Sequence, residues 1–231
     1  MNHNIKAVVF DVDGTLYNQN KLRVHIVAVI LKALLKSPVK SYKDLKLVSE
    51  YRKNHEILRL TPDVINKYET QIQRTAEKFN LSRDDAFKII YDWIHIKPLP
   101  FIKRTQRNGL LDLLNWLKSK NIKTGLLSDY PCENKAEVLG IKNLVDLIKS
   151  STDEDIDVFK PESKGILKMA ELLNVNPKEM IYVGDRYKID IMGAEKANVI
   201  PVLINSKKYG NKYTIRELSE IKEIVEEING K

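Results

Sequence analysis

The chain has 231 residues, of which 43% are hydrophobic, and it carries a formal net charge of +8 at pH 7. This length and hydrophobic content suffice to bury one sizeable core, or a core with a smaller satellite domain, and they exclude extensive disorder. No run of eighteen apolar residues is present, and the N-terminus lacks the charged and apolar zones of a signal peptide. We therefore expect a cytoplasmic protein that contacts no membrane.

Sulfur and nitrogen ligands are scarce in this sequence, which narrows the kinds of metal site that it can form. Cys132 is the only cysteine, so an internal disulfide and a multi-thiolate zinc site are excluded. The four histidines are scattered without ligand spacing. A hard cation held by oxygen ligands is therefore the metal that we expect. No nearby histidine stands ready to activate Cys132, so we interpret this thiol as packed or incidental.

The positive charge is concentrated in one segment. Residues 18 to 100 hold 16 Lys and Arg against 9 Asp and Glu, a net charge of +7, and the rest of the chain carries +1. We favour a lysine-rich solvated surface, because charge runs on helices are usually exposed faces. Two alternatives remain open: a field that attracts anionic substrates, and a surface that binds nucleic acid. The second lacks support from basic residues interleaved with aromatics or from a recognised motif, so no nucleic-acid partner is expected.

The first predicted element is a buried strand over Ile5 to Phe10 that runs directly into two carboxylates. Asp11 and Asp13 follow it, with Val12 between them. Since residues alternate faces along a strand, both acids can turn toward the same crevice, and Gly14 permits the sharp turn that follows. One acid could attack a phosphoryl group while the other handles protons.

The second region is helical. From about Arg23 to His95, apolar residues recur at helical spacing and no strand pattern interrupts them, which predicts four helices. Thr61-Pro62 and the run from Ser82 to Asp85 are typical helix starts, with proline or acids in the first turn. This stretch is interpreted as a helical insert.

The third region returns to a core in which strands and helices alternate. After Pro98 and Pro100 we predict a helix around Gly109 to Lys120. Strict alternation of strand and helix implies a doubly wound, Rossmann-like parallel sheet with helices on both faces. The elements predicted after this helix are strands at Ile122–Leu127, Val145–Ile148, Met180–Gly184 and Val199–Ile204, and helices at Asn134–Leu139, Glu162–Leu173, Ile189–Ala197 and Thr214–Ile228.

Further polar residues fall at the ends of these later strands. Ser128 ends one strand, Asp185 follows Gly184 at the end of another, and Asp190 comes five residues later. Lys160 lies just before a helix that Pro161 can open, so its cation would sit beside a positive helix end. Ligands of such sheets bind outside the carboxyl ends of the strands. Several converging carboxylates require a cation, and we predict Mg²⁺.

Together these residues resemble the four motifs of the haloacid dehalogenase-like superfamily. The order is Asp11-Val-Asp-Gly-Thr15, Ser128, Lys160, then Gly184-Asp185 with Asp190, and the resemblance spans essentially the whole chain. It implies an α/β core domain over residues 1–17 and 101–231. It also implies a small all-helical cap domain over residues 18–100, inserted after the first strand as a lid.

The resemblance also implies roles for individual residues. Asp11 would be the nucleophile that forms an aspartyl-phosphate, and Asp13 the general acid and base. Ser128, Asp129 and Lys160 would bind the phosphoryl group. Thr15 would orient Asp13, Gly14 would shape the turn, and Asp190 would order Lys160 or a metal-bound water. Mg²⁺ would be held by the following oxygens: the Asp11 carboxylate, the Asp13 backbone carbonyl and Asp185.

These roles predict a phosphatase that hydrolyses a small phosphorylated metabolite. A carboxylate at Asp13 disfavours dehalogenation, because that reaction needs no proton on a leaving oxygen. Two positions depart from the family pattern: Asp129 stands where Asn is common, and Arg186 where a small polar residue is usual. Either can shape specificity.

Several alternatives stay open. A phosphomutase would pass the phosphoryl group to a sugar, and a phosphonate hydrolase would need a cap lysine that forms a Schiff base. Among non-enzymes, a receiver domain is disfavoured by the helical insert and by the chain length. A basic nucleic-acid-binding module is the other non-catalytic alternative. The physiological substrate and the oligomeric state are not predicted.

Overall fold

The computed structural model describes residues 4–61, 63–204, 210 and 212–230. The chain forms two compact units. One unit contains Met1–Asn18 and Gln106–Lys231, and the other contains Gln19–Thr105. In the described part of the chain, no helix has the length and apolar character needed to cross a membrane.

The unit of residues 19–105, which we call the helical unit, contains the four helices predicted between Arg23 and His95. Ser82 caps the fourth helix as predicted, since its Oγ accepts a hydrogen bond from the Asp85 amide at 3.1 Å. The third helix starts at Lys67, and Pro62, the other predicted start, lies outside the described residues. The helices, with a short fifth, are α1 (Gln19–Lys36), α2 (Pro38–Arg59), α3 (Lys67–Lys78), α4 (Arg83–Tyr91) and α5 (Leu99–Ile102).

Fully buried apolar side chains form the interior of the helical unit, among them Leu58, Ile72 and Ile90. A lysine is also buried there: Lys67 is 2% exposed, and its Nζ donates to the backbone carbonyls of Leu58, at 3.2 Å, and Thr61. These carbonyls belong to the C-terminal end of α2, where a cation is favoured by the unmet acceptors and by the helix dipole.

The other unit, which we call the sheet unit, is built on a parallel sheet, as the alternating pattern predicts. Every described strand pair is parallel, and the order is β3-β2-β1-β4-β5-β6. β1 is buried on both faces because its four residues are all apolar. The strands in the described residues are β1 (Ala7–Phe10), β2 (Lys123–Ser128), β3 (Leu147–Ser150), β4 (Met180–Gly184), β5 (Ile200–Ile204) and β6 (Tyr213–Ile215).

Helices follow these strands and pack on the sheet. The described ones are α6 (Leu110–Ser119), α7 (Glu133–Leu139), α8 (Lys164–Leu172), α9 (Met192–Lys196) and α10 (Ile221–Ile228). Four leucines of α6 form one buried face, which the leucine spacing predicts. Gly125 of β2 lets the Met169 side chain of α8 approach the strand, because a Cβ at this glycine would lie 2.5 Å from Met169 Cε.

The prediction of a helix over Thr214–Ile228 is wrong at its start. Tyr213–Ile215 forms an edge strand whose Tyr213 pairs with Val202 of β5, and the helix begins only at Ile221. Aromatic and β-branched residues suit a strand when a neighbour offers free backbone groups. Here the neighbour is β5, and the local sequence pattern does not indicate that β5 lies beside this segment.

Candidate active site

The candidate site lies at the carboxyl ends of three neighbouring strands. β1 is flanked by β2 on one side and by β4 on the other. Asp11 follows β1, Ser128 ends β2, and Asp185 follows β4. The chain moves outward from β1 to β2 and β3 and then returns to β4 on the opposite side, so this edge is the topological switch point where such sheets bind ligands.

A buried lysine links two of the predicted carboxylates. Lys160 Nζ lies 2.5 Å from Asp11 Oδ1 and 2.7 Å from Asp190 Oδ1. The exposed fractions of Lys160, Asp11 and Asp190 are 2%, 3% and 0%. Residues from distant parts of the chain therefore meet in one buried ion network, and the contact of Asp190 with Lys160 is one of the two roles expected for this acid.

The charges of this network do not balance. Burial raises the pKa of Asp11 to about 8, with Lys160 opposing the rise and the two neighbouring carboxylates adding to it. Burial also opposes the charge of Lys160, yet Asp11 and Asp190 hold the pKa of its ammonium well above the usual value. The lysine is therefore protonated, and the raised pKa of Asp11 reflects its burial among carboxylates that share this one cation.

Asp11, Asp185 and Asp190 form a cluster that fits a divalent cation. Each offers a carboxylate oxygen, and these oxygens all lie within 4.8 Å of one another. Ligand oxygens on opposite sides of Mg²⁺ are about 4 Å apart, so little movement is needed to close around the ion. With the Lys160 ammonium, three ionised carboxylates carry a formal charge of −2. Burial, with Asp190 adding, also raises the pKa of Asp185 to about 6.

Two glycines allow these carboxylates to approach the backbone. Gly14 has a φ of +99°, and a Cβ there would lie 2.3 Å from Asp185 Oδ2. A Cβ at Gly184 would lie 2.2 Å from the Cβ of Asp190. Any larger residue at either position would push a carboxylate away.

Asp13 is held by partners that differ from those of Asp11. Lys135 Nζ lies 2.6 Å from its Oδ1 and 2.8 Å from its Oδ2, and the Tyr17 hydroxyl donates to Oδ1. Burial would raise the pKa of Asp13, but Lys135 and the Tyr17 hydrogen bond outweigh it and lower this pKa below the usual value. Asp13 is therefore an ionised carboxylate in this arrangement.

Thr15 does not orient Asp13, so that prediction is wrong. Its hydroxyl donates to Asp11 Oδ2 at 2.9 Å. The tight turn after β1 folds the chain back on itself, which brings the residue four positions later to Asp11. The same turn brings Tyr17 to Asp13, four residues apart again. Arg107 closes the turn by donating to the Gly14 carbonyl at 2.9 Å.

Ser128 and Asp129 occupy buried positions at the end of β2. Ser128 Oγ accepts a hydrogen bond from the Tyr130 amide at 3.3 Å, which leaves its proton for another acceptor. Asp129 Oδ1 accepts bonds from the Lys160 amide at 3.2 Å and from Ser151 Oγ at 3.3 Å. These bonds attach the Asp129 side chain to the Lys160 backbone, and its predicted role in binding the phosphoryl group stays a prediction.

Arg186, one of the two departures from the family pattern, lies beside the site. Its NH2 is 3.6 Å from Asp129 Oδ2, and its amide donates to Asp190 Oδ2 at 3.0 Å. Its side chain is 43% exposed, so the guanidinium keeps access to a ligand. Arg186 thus contacts Asp190 through its backbone and Asp129 through its side chain.

Sequence reasoning missed three residues of this site: Tyr17, Arg107 and Lys135. Lys135 lies on α7, which no motif singled out, and its contact with Asp13 joins positions 122 residues apart. The signal that could have found it is its place one turn into the helix after β2. A side chain there points back toward the strand ends.

Cys132 is a packed thiol, in agreement with its interpretation from the sequence. It is 1% exposed, and burial raises the pKa of its thiol far above the usual value. A thiol that stays protonated is a poor nucleophile. The reactive groups of the site are therefore oxygen and nitrogen groups.

Comparisons with known proteins give relatives that span most of the chain. The chain is 29% identical over 219 residues to a glyceraldehyde 3-phosphate phosphatase of Methanopyrus kandleri, covering 89% of this chain and 86% of that protein. It is 26% identical over 206 residues to the pyrophosphatase PpaX of Oceanobacillus iheyensis, covering 84% of this chain and 81% of that protein.

A solved structure shows the same fold. A 2-haloacid dehalogenase from Pseudomonas syringae matches with a TM-score of 0.68 and 20% identity, over 96% of this chain and 99% of that chain. At this identity the likeness concerns the fold alone. The family model described as haloacid dehalogenase-like hydrolase matches residues 5–198. The predicted family is thus confirmed: the chain belongs to the haloacid dehalogenase-like hydrolases.

Proposed function

We propose that the protein is a Mg²⁺-dependent phosphatase that hydrolyses a small phosphorylated metabolite through an aspartyl-phosphate on Asp11. The observation that carries this proposal is the buried network in which the Lys160 ammonium bridges Asp11 and Asp190 beside Asp185. A nucleophile, a fixed cation and an unbalanced negative charge at one switch point are the groups that phosphoryl transfer needs.

Asp11 is the nucleophile of the proposed reaction. Thr15 and Lys160 each hold one of its carboxylate oxygens, so the group keeps one orientation. An Asp11 oxygen forms a bond to phosphorus while the bond from phosphorus to the leaving oxygen breaks. Water then attacks the aspartyl-phosphate, which releases inorganic phosphate and restores the carboxylate.

Mg²⁺ would be held by Asp11, Asp185 and the backbone carbonyl of Asp13. When bound, the ion would neutralise the buried carboxylates and the charge that develops on the phosphoryl oxygens. Asp190 holds the Lys160 ammonium at 2.7 Å, so this acid serves the lysine directly. Ser128, with a proton to donate, and Lys160 would bind the phosphoryl oxygens.

Asp13 moves protons in both halves of the reaction. For the first half Asp13 must first take up a proton, which it gives to the leaving oxygen; the carboxylate so formed takes a proton from the attacking water in the second half, which restores the acid. The ion pair with Lys135 favours the ionised form, which is the form that acts as the base. Tyr17 and Lys135 together fix the direction of this carboxylate.

The substrate class follows from the relatives and from the chain's own residues. One relative is named for a small phosphate monoester and another for pyrophosphate, so the proposal is limited to small phosphorylated compounds. We also propose that the helical unit is the cap that selects among them. Its place in the chain, between β1 and the remaining strands, supports this role.

Hydrolysis of p-nitrophenyl phosphate with and without Mg²⁺ tests the proposal. Asp11→Asn should lower kcat by at least about 10³-fold, because the amide cannot form the covalent intermediate. Asp112→Asn, on the exposed side of α6, is the matched control and should keep normal activity. Full turnover by Asp11→Asn, or full activity after removal of divalent ions, would contradict the mechanism.

A labelled phosphoryl group separates the phosphatase from the phosphomutase alternative. With a ³²P-labelled sugar phosphate, a phosphatase releases all label as inorganic phosphate. Label that returns in an isomeric sugar phosphate would instead identify a mutase.

A further inference from the structure

The helical unit contains a pocket of about 680 Å³ whose lining residues all belong to that unit. It is bounded by the first three turns of α2, by the connection between α3 and α4, and by α4 itself. Small-molecule sites in proteins typically measure roughly 300 to 1,000 Å³. The pocket is therefore large enough for a small organic molecule.

The wall of this pocket is apolar. Leu47 lines the pocket and is 2% exposed, while Phe79 and Ile89 are half-buried. Val39 and Leu81 are 69% and 38% exposed, so they leave apolar surface in contact with water. Covering such surface is favourable by about 25 cal/mol per Å². An occupant with an apolar body would gain free energy here.

The charged residues that line the pocket give it a net positive charge. Lys40 and Lys43 lie three positions apart on α2, which places them on the same side of the helix. Within the described residues, neither makes a hydrogen bond or an ion pair. Asp44 also lines the pocket, but its Oδ2 accepts from Trp93 Nε1 at 3.4 Å and it interacts with Lys97. With two ammonium groups and one carboxylate, the lining carries a formal net charge of +1.

The N-terminal end of α2 adds to the positive potential at this pocket. Val39 and Lys40 are the second and third residues of this 22-residue helix, whose first turn contains no acidic residue. Ser37, which precedes the helix, makes no side-chain capping bond to the first amides. The positive end of the helix dipole therefore has no anionic side chain of its own at this place.

We propose that this pocket binds an organic anion that combines an apolar body with one carboxylate or similar acidic group. The apolar body would lie against Leu47, Phe79 and Ile89, and the acidic group would lie between Lys40 and Lys43. If a second copy of the chain covered this pocket, its Lys40 and Lys43 would lie near those of the first copy. Repulsion between these like charges disfavours a second copy as the occupant. The inference is independent of the proposed phosphatase reaction, because it uses no residue of that site.

Three probes that share an eight-carbon chain test the proposal by calorimetric titration of the full-length protein. They are sodium octanoate, 1-octanol and octylammonium chloride. Octanoate should bind with 1:1 stoichiometry and at least fivefold more tightly than octanol, and octylammonium should show no saturable binding. Methyl NMR signals of Leu47 and Ile89 should shift on addition of octanoate.

Two variants locate the binding. Lys40→Glu/Lys43→Glu should weaken octanoate binding at least tenfold, whereas Lys32→Glu/Lys53→Glu, an exposed pair with the same charge change, should alter it less than twofold. Val39→Glu should also weaken it tenfold, and Leu60→Glu, at a residue that is 80% exposed, should not. All four are surface changes, so thermal unfolding should confirm that each variant is folded.

Several outcomes would overturn the proposal. Equal affinities for octanoate and octanol would show an apolar groove without anion recognition. An absence of saturable octanoate binding, or binding that all four variants leave unchanged, would exclude the pocket as the site. Dimerisation that Val39→Glu abolishes would show that a second copy covers this face.

Discussion

Two lysines, one in each unit, are equally buried, but their surroundings indicate different roles. Lys67 and Lys160 are both 2% exposed. Lys67 donates to neutral backbone carbonyls at the end of α2, so it completes a helix end. Lys160 lies between two carboxylates of a cluster in which three carboxyl groups share one ammonium. Hydrogen bonds from a buried ammonium to the backbone at a helix end indicate a structural role, whereas a place among several converging carboxylates indicates a catalytic role.

The same contrast extends to the neighbours of each lysine. In the helical unit, buried polar side chains have hydrogen-bond partners: Asn54 Nδ2 donates to Thr75 Oγ1 at 3.0 Å, and Gln71 Nε2 donates to the Tyr51 backbone carbonyl at 2.9 Å. In the sheet unit, the buried Asp11 and the half-buried Asp185 have raised pKa values, mainly because of desolvation. The buried polar groups of the helical unit are thus hydrogen-bonded, whereas the carboxyl groups of the sheet unit are disposed to bind a proton or a cation.

The largest expected effect comes from removing the ammonium of the catalytic network. Lys160→Met should lower kcat by about 10³-fold, because it removes a fixed positive charge from the transferring phosphoryl group. Lys67→Met is the matched control, since it removes an equally buried ammonium, and it should retain kcat. Steady-state kinetics with p-nitrophenyl phosphate measure both. Similar losses in the two variants would erase the distinction between the lysines.

The next effect concerns the partner of Asp13. Lys135→Met should lower kcat/KM by about 10²-fold for an alkyl phosphate such as glycerol phosphate, because Asp13 loses the group that directs it. The loss should be smaller for p-nitrophenyl phosphate, whose leaving group needs little protonation. Lys142→Met, at a half-exposed lysine of the same region, is the control. Equal losses for the two esters would argue that Lys135 has only a structural role.

A stability measurement addresses Lys67. Lys67→Met should lower the free energy of unfolding by about 2 kcal/mol, because the carbonyls of Leu58 and Thr61 lose a buried donor. Urea unfolding followed by circular dichroism measures this change, and Lys53→Met, an exposed lysine of α2, controls for the loss of charge. A variant as stable as the parent would mean that the helix end needs no buried cation.

The smallest expected effect is the pH dependence of metal binding. The pKa of Asp185 is raised to about 6, so lowering the pH through this value adds a proton that Mg²⁺ must displace. For this single group, Mg²⁺ affinity should fall about tenfold between pH 7 and pH 5. The raised pKa of Asp11 acts in the same direction. Calorimetry at several pH values measures the affinity, and a constant affinity over this range would show that the cluster does not bind the ion.

Much of the fold was predictable because its signals are local. Met180–Gly184 is a continuous apolar run, and the structure has a strand with those bounds. Gly14 followed by Thr15 indicates the turn after β1, and Ser82 with Asp85 indicates the start of α4. The strand at Tyr213–Ile215 was not predictable in this way, because its preference is decided by the free edge of β5.

The sequence by itself determined which chemical groups the protein can use. Four acids, a serine and a lysine stand at the ends of predicted elements, and their order along the chain identifies the family. Those properties depend on residue types and spacing, which the sequence gives directly.

Only the tertiary structure decided which groups are partners. Thr15 serves Asp11, Lys135 holds Asp13, and Asp129 holds the Lys160 backbone. The pairing of Lys135 with Asp13 joins residues 122 positions apart, and a side chain's direction at a strand end is set by the turn that follows. Such pairings depend on packing between distant segments, and they cannot be predicted from local residue preferences.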